Sequence, residues 1–200
     1  TAQDGASACR MVRAAGFELV GQMMLGLPGS TAADDRRTAQ DIVSYGAAAA
    51  RIYPTVVFDG TPLARMMRDG TYQPLTVEEA VARAADAYEI LTEGGVRCLR
   101  IGLCASGELT DPACALAGPN HPALGELVLG EVRYRALVRA VTGAGLTGRR
   151  VALAVPARLV SQTVGQRRRN LIRLEEEYRT TVVSVTGVPG VGILSVRPAE

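Results

Sequence analysis

Apolar runs of strand length alternate with segments of helical spacing along the first half of the chain. Residues 17–25, 49–58 and 96–103 are rich in apolar and β-branched side chains, and helical patterns at 30–45 and 76–92 separate them. Strands that alternate with helices in this way are typical of a parallel sheet with right-handed crossovers. The pattern predicts an α/β fold. Three strands are too few to close a barrel, so we expect them to belong to a larger sheet.

Capping residues mark where several of these helices begin. Ser30 or Thr31 is expected to cap the second helix, whose first turn is acidic. Thr76 and Glu79 have the spacing of a capping box. Further helices are predicted at 6–15 and 62–69.

The pattern changes beyond residue 104. Gly, Pro and small residues at 105–120 predict a loop, helical spacing returns at 124–141, and a Gly-rich linker follows at 142–148. The last fifty residues predict a small β-α-α-β-β module with a strand at 151–155, helices at 157–164 and 170–179, and a hairpin of 180–185 with 191–196.

Composition narrows the classes of protein that fit. The apolar fraction of 48% is enough to bury a core, and neither a membrane-spanning run nor a secretory pattern is present, so a cytoplasmic location and no membrane partner are expected. The net charge of +2 gives no bulk attraction for nucleic acid, but residues 151–200 hold 7 Arg against 4 Glu. The four cysteines lack the close spacing of a metal site, so we expect no metal ligands in this chain.

Two stretches together carry a resemblance to a known family. Residues 22–29, Gln-Met-Met-Leu-Gly-Leu-Pro-Gly, and residues 51–63, Arg-Ile-Tyr-Pro-Thr-Val-Val-Phe-Asp-Gly-Thr-Pro-Leu, are similar to late strands of the radical S-adenosylmethionine barrel. The similarity continues at residues 69–72, 100–103 and 118–128. Within that family the stretches resemble the branch of the catalytic subunit of Elongator and its bacterial relatives, and oxygen-independent coproporphyrinogen oxidase has a similar strand-and-turn region.

The resemblance implies a fold and its cofactors. Residues 1–104 would form the C-terminal portion of a partial (β/α)6 radical S-adenosylmethionine barrel, 105–148 a post-barrel loop, helix and linker, and 149–200 a small basic α+β module similar to a KH domain. A [4Fe–4S] cluster would cleave S-adenosylmethionine to a 5′-deoxyadenosyl radical, with a reductant protein supplying the electron. The chain lacks the three-cysteine cluster motif. Either residues outside this chain hold the cluster, and the chain alone is inactive, or the protein is a catalytically silent remnant.

The same resemblance implies which residues bind the cofactor, at the ends of two strands. They are Gln22, Gly26, Pro28, Gly29, Arg51, Tyr53, Thr55 and Val56. Structural alternatives stay open for six of them: a polar strand end for Gln22, a simple turn for the glycines and proline, a salt bridge for Arg51, and β-branched core packing for Val56.

A basic turn in the last module suggests a second kind of site. Gly165-Gln166-Arg167-Arg168 resembles the GXXG loop of KH domains, with Arg168 in place of the second glycine. An RNA site is therefore expected at Gly165, Arg167, Arg168, Arg169 and Arg173. Residues 175–177, all Glu, could instead pair with these arginines as a solvated helix face, and no aromatic residue supports base stacking.

Two functional hypotheses remain from the sequence. The first is a fragment of a radical S-adenosylmethionine enzyme that modifies an RNA or tRNA base. The second is a non-catalytic RNA-binding or scaffold protein derived from that family. His121, the only histidine, has no ligand partner at metal spacing and is expected to fix its loop by a hydrogen bond.

Overall fold

The computed structural model describes residues 2–104, 106–189 and 194–199. It is a mixed α/β structure, as predicted, and divides into two compact units, residues 1–128 and 129–200. The three-part division expected from the sequence stays a prediction. No helix in the described ranges is long and apolar enough to cross a bilayer.

The first unit contains most of the predicted strands and helices. Its elements are α1 (Ala2–Ala14), β1 (Val20–Leu25), α2 (Ala32–Ser44), β2 (Ala49–Pro54), β3 (Val57–Phe58), α3 (Pro62–Arg68), α4 (Val77–Glu93), β4 (Arg97–Ile101), α5 (Gly107–Thr110), β5 (Ala115–Ala117) and the start of α6 (Leu124–Gly143). The expected caps are present, because Thr31 and Thr76 each close a capping box. The stretch at 105–120, expected to be a loop, also contains the short α5 and β5.

Strands β1, β2 and β4 form a parallel sheet in chain order. One face packs against α2 and α4, which also contact each other. Met23, Leu25 and Ile52 lie on this face and are buried. The backbone of β1 approaches α2 so closely that a Cβ atom on Gly21 would lie 2.6 Å from Cγ2 of Ile42.

The opposite face of this sheet is not covered by α2 or α4. Val20 and Met24 alternate with the buried residues of β1, and these two residues are 41% and 44% exposed. Strand β2 ends before Thr55, and the chain then continues into β3, which pairs with β5. Val57, Ala64 and Tyr72 form a small core beside this pair.

The second unit contains the rest of α6 and the elements that follow it. After the end of α6 come β6 (Arg150–Pro156), a 3₁₀ turn, α7 (Val160–Val164), a second 3₁₀ turn at 166–168, α8 (Arg169–Tyr178), β7 (Thr181–Val188) and β8 (Ser195–Pro198). The core contains residues from α6, β6 and α8, among them Leu137, Val141, Leu153 and Leu174.

The predicted hairpin is wrong. The sheet order is β7-β6-β8, with β7 parallel and β8 antiparallel to β6, so the two predicted arms flank a central strand. The reason is burial: β6 carries the most deeply buried run of side chains, whereas β7 and β8 are each largely exposed, as suits edge strands. Residues 191–193 of the predicted second arm lie outside the described ranges.

Candidate functional site

The carboxyl end of β1 runs into a tight turn that leads to α2. Gly26 and Gly29 have φ angles of 73° and 75°, which L side chains rarely adopt. The amide of Ser30 donates to the carbonyl of Leu27 at 2.9 Å. Gly26 is buried, whereas Pro28 and Gly29 are exposed. The turn therefore presents its tip to solvent at the carboxyl edge of the sheet.

The segment after α3 holds the Gly26 turn in place. The hydroxyl of Tyr72 donates to the carbonyl oxygen of Gly26 at 2.7 Å, and Tyr72 is buried. This burial raises the pKa of the Tyr72 hydroxyl, so it remains a donor at neutral pH. Leu75 covers the other side of the turn, because a Cβ atom on Gly26 would lie 2.7 Å from Cδ1 of Leu75. Neither contact has a signal in the sequence.

Thr55 ties the end of β2 to the end of β1. Its hydroxyl donates to the carbonyl oxygen of Leu25 at 2.7 Å, and its backbone amide donates to the same oxygen at 3.0 Å. Thr55 and Val56 are both buried. Gly118 lies against them, since a Cβ atom there would be 2.8 Å from the Thr55 carbonyl oxygen. The Thr55 hydroxyl therefore uses its proton in a hydrogen bond within the protein, and the predicted cofactor role of Thr55 stays a prediction.

Polar side chains line up across the uncovered face of the sheet. Gln22 of β1 is in register with Arg51 of β2, and Arg51 is in register with Arg100 of β4. Residues in register on parallel strands project to the same face. Within the described residues no carboxylate pairs with Arg51 or Arg100. Tyr53 is in register with Met24, one layer nearer the carboxyl edge.

Arg100 is the member of this row that sequence reasoning did not assign to the site. The register of β2 with β4 shifts between Ala50 and Arg51, so strand spacing alone does not reveal that Arg100 lies opposite Arg51. The available signal was its place in the motif at residues 100–103.

A buried ion pair joins α2 to α4 below the turn. Nε of Arg83 donates to Oδ2 of Asp35 at 2.6 Å, and the two side chains are 14% and 4% exposed. A second nitrogen of Arg83 lies 3.5 Å from Oγ of Ser30 at the end of the turn. Burial raises the pKa of the Asp35 carboxyl, an effect that the Arg83 guanidinium opposes.

The described residues offer no place for a metal cluster. They contain no group of three or more His, Cys, Asp or Glu side chains arranged to hold a metal ion. Burial raises the pKa of the Cys98 thiol, which disfavours the thiolate that ligates iron. Nδ1 of His121 accepts from the amide of Ala123 at 3.1 Å, the loop-fixing hydrogen bond that was expected.

The predicted RNA loop has an unusual backbone. Gly165 has a φ angle of 74°, and Arg167 and Arg168 are both left-handed, with φ angles of 51° and 62°. The loop links α7 to α8, and the side-chain amide of Asn170 braces it by donating to the carbonyl of Gln162 at 3.1 Å. Arg167, Arg168 and Arg169 are exposed, and no carboxylate in the described ranges pairs with them.

Arg173 differs from the other arginines of this group. Its NH1 nitrogen lies 2.6 Å from Glu131 and its Nε lies 3.3 Å from Glu177, while the guanidinium stacks 3.8 Å from the ring centre of Tyr134. The Tyr134 hydroxyl donates to Glu177, and this hydrogen bond lowers the pKa of the Glu177 carboxyl. Two carboxylates thus compensate the charge of Arg173, and its predicted RNA role stays a prediction.

Comparison with known proteins shows what part of this chain is similar to. Residues 47–134 match the family model described as the Radical_SAM C-terminal domain, which confirms the resemblance predicted from the sequence.

The relatives found are of one kind. The chain is 30% identical over 132 residues to the tRNA uridine(34) acetyltransferase of Methanocaldococcus jannaschii and 28% identical over 130 residues to that of Methanocaldococcus infernus. These matches cover 64% and 63% of this chain but only 23% of each relative. The chain therefore spans less than a quarter of the length of the curated relatives it matches.

A solved structure agrees in fold. Archaeal Elp3 of Methanocaldococcus infernus, with an N-terminal deletion of residues 1–46, matches with a TM-score of 0.55 at 24% identity. The match covers 74% of this chain and 33% of the other. At this identity the likeness concerns the fold alone.

Proposed function

We propose that this chain supplies late barrel strands and an RNA-contacting module to a radical S-adenosylmethionine enzyme that modifies tRNA. The observation that carries the proposal is the β1-β2-β4 sheet, with its strands in chain order and its packed helices on one face. A barrel wall needs this arrangement, whereas a doubly wound sheet has helices on both faces. The uncovered face would line the interior of the barrel.

The polar groups on that face suit S-adenosylmethionine. Gln22 offers an amide that can donate and accept, and the guanidinium of Arg51 has no partner among the described carboxylates. Arg51 would bind the carboxylate of the cofactor, and Tyr53 would contribute a wall above it. The exposed tip at Pro28 and Gly29 would approach the cofactor from the carboxyl edge. Beside a reduced [4Fe–4S] cluster, the bound cofactor would supply radical chemistry.

The cluster itself does not fit the described residues, because they contain no metal-binding group. We therefore propose that residues outside this chain hold it and that a separate reductant protein serves it. The chemistry performed on the base belongs to the whole protein, and the curated relatives named as tRNA uridine(34) acetyltransferases suggest uridine 34 of tRNA as the substrate.

The experiment uses the full-length protein, reconstituted with iron and sulfide under anaerobic conditions. We expect an ultraviolet–visible spectrum typical of a [4Fe–4S] cluster and formation of 5′-deoxyadenosine after dithionite is added. A protein left without iron serves as the control. A fully loaded cluster that yields no 5′-deoxyadenosine, with or without tRNA, would remove the enzymatic proposal.

A second candidate function is RNA delivery without catalysis, and the loop at residues 165–168 favours it. Three neighbouring exposed arginines, Arg167, Arg168 and Arg169, have no acidic partner in the described part of the chain, although acids follow on the same helix. Reversing the charge of Arg167 and Arg169 should lower RNA affinity and reduce the slope of log affinity against log salt by about 0.7 for each phosphate that the protein no longer neutralises. Arg197→Glu on β8 is the control. An unchanged salt slope would contradict the RNA site.

A further inference from the structure

An open groove runs along the exposed side of α8 beside the arginine loop. Its volume is about 560 Å³, within the range of sites that hold a small ligand. The lining residues are Gln166, Arg167, Arg169, Ile172, Arg173 and Glu176. Four of them, at positions 169, 172, 173 and 176, share one face of the helix because they are spaced by three or four residues.

The chemistry of the groove changes along its length. Arg167 and Arg169 make the first end cationic, and no described carboxylate neutralises them. Ile172 lies in the middle and is 49% exposed, which leaves an apolar surface open to a ligand. Glu176 lies at the far end and forms no ion pair in the described ranges.

One wall of the groove is fixed rather than free. Arg173 is held by Glu131 and Glu177, so it shapes the groove without adding an unpaired charge. Arg169 and Glu176 are seven residues apart on the helix, a rise of about 10 Å. That distance is close to the span of a nucleotide from its phosphate to the edge of its base.

We propose that this groove binds one nucleotide of single-stranded RNA. The phosphate contacts Arg167 and Arg169, the base lies over Ile172, and the Glu176 carboxylate accepts a hydrogen bond from an exocyclic amino group of the base. This assignment rests on the proposed RNA role of the module and gives that role a base preference. An ionised carboxylate can only accept, so cytosine, with its N4 amino group, is favoured over uracil, which has a carbonyl oxygen there.

The test compares two probes that differ at that position. Fluorescence anisotropy at fixed salt measures the affinity of the full-length protein for labelled pentacytidylate and pentauridylate. We expect the wild-type protein to bind pentacytidylate roughly tenfold more tightly. Glu176→Gln should bring the ratio near one, because an amide turns to accept from cytosine or donate to uracil.

Two further variants separate the parts of the groove. Glu175→Gln is the matched control, since the Glu175 carboxylate accepts from Thr181 at 3.0 Å and does not line the groove, and it should keep the preference. Ile172→Ala should weaken both probes by a similar factor. If the wild type binds both probes with equal affinity, or if Glu176→Gln keeps the wild-type preference for pentacytidylate, the proposed nucleotide site in the groove is wrong, whereas the RNA role of the module is not contradicted. Failure of every RNA probe to bind would overturn both.

Discussion

Arg168 occupies a backbone conformation that glycine adopts more easily. Its φ and ψ angles are 62° and 22°, in the left-handed region, and it lies at the start of α8. An L residue in that region costs about 1–2 kcal/mol. Glycine removes this cost but loses about 0.5–1 kcal/mol through its greater freedom in the unfolded chain. Arg168→Gly should therefore be more stable than Arg168→Ala by about 0.5–1 kcal/mol.

A neighbouring position provides the matched control. Arg169 begins α8 with helical angles of −51° and −43°, where glycine is worse than alanine by up to about 1 kcal/mol. The order of stability of the two variants should thus reverse between positions 168 and 169. All four variants remove one positive charge, so differences in charge cancel within each pair.

The assay is urea unfolding of the purified chain, followed by far-ultraviolet circular dichroism, with RNA affinity measured on the same samples. Gly and Ala at position 168 should weaken RNA binding equally, because both remove one positive charge from the proposed RNA site. If Ala is as stable as Gly at position 168, the left-handed strain is absent and the predicted reversal is refuted. Equal RNA binding by the wild type and both variants would show that the Arg168 guanidinium does not contribute to RNA binding and so does not explain its strained backbone.

Three further changes test the packing and electrostatics that position the sites. Arg83→Met leaves the buried Asp35 carboxylate unpaired and should lower the free energy of unfolding, measured by chemical denaturation, by about 3–5 kcal/mol. The double variant with Asp35→Leu should recover most of that loss. Additive losses in the two single variants and the double variant would contradict a coupled pair. Tyr72→Phe removes the hydrogen bond to the Gly26 carbonyl and should lower the free energy of unfolding by about 0.5–1.5 kcal/mol in the same assay. An unchanged free energy would contradict a stabilising role for this hydrogen bond. The pKa of Glu177 is lowered in the folded state, so ionised Glu177 stabilises the fold. This contribution to the free energy of unfolding is present above the usual pKa of 4.5 and is lost as the pH falls through the folded-state pKa. Glu177→Gln should remove this acid dependence in a series of unfolding midpoints measured against pH, and an unchanged dependence would contradict it.

The helix boundaries could be predicted because their determinants are local. Thr31 and Thr76 close capping boxes with acids three residues along, and this spacing is visible in any single sequence. The strand-to-turn unit at residues 20–29 was predictable for the same reason, because an apolar run that ends in two glycines and a proline has few alternatives.

The contacts that complete the site depend on register and on distant packing. Arg100 comes opposite Arg51 only because the ladder shifts by one residue, and Tyr72 reaches Gly26 across 46 positions of sequence. Periodicity does not encode either contact. The wrong hairpin has a similar origin, because two strands close in sequence were assumed to pair, while the apolar β6 took the central position between them.

The uncovered face of the first sheet is the proposed binding site for S-adenosylmethionine, and the enzymatic role depends on it. Equilibrium binding of the labelled cofactor to the cluster-loaded full-length protein tests this directly, with Arg51→Met compared against Arg37→Met on the helix side. We predict that the wild type binds and that Arg51→Met raises the dissociation constant by about tenfold to a hundredfold, as expected when a charged hydrogen bond is removed, while Arg37→Met does not change it. Absence of binding to the wild type, or equal binding by Arg51→Met, would contradict the proposed site.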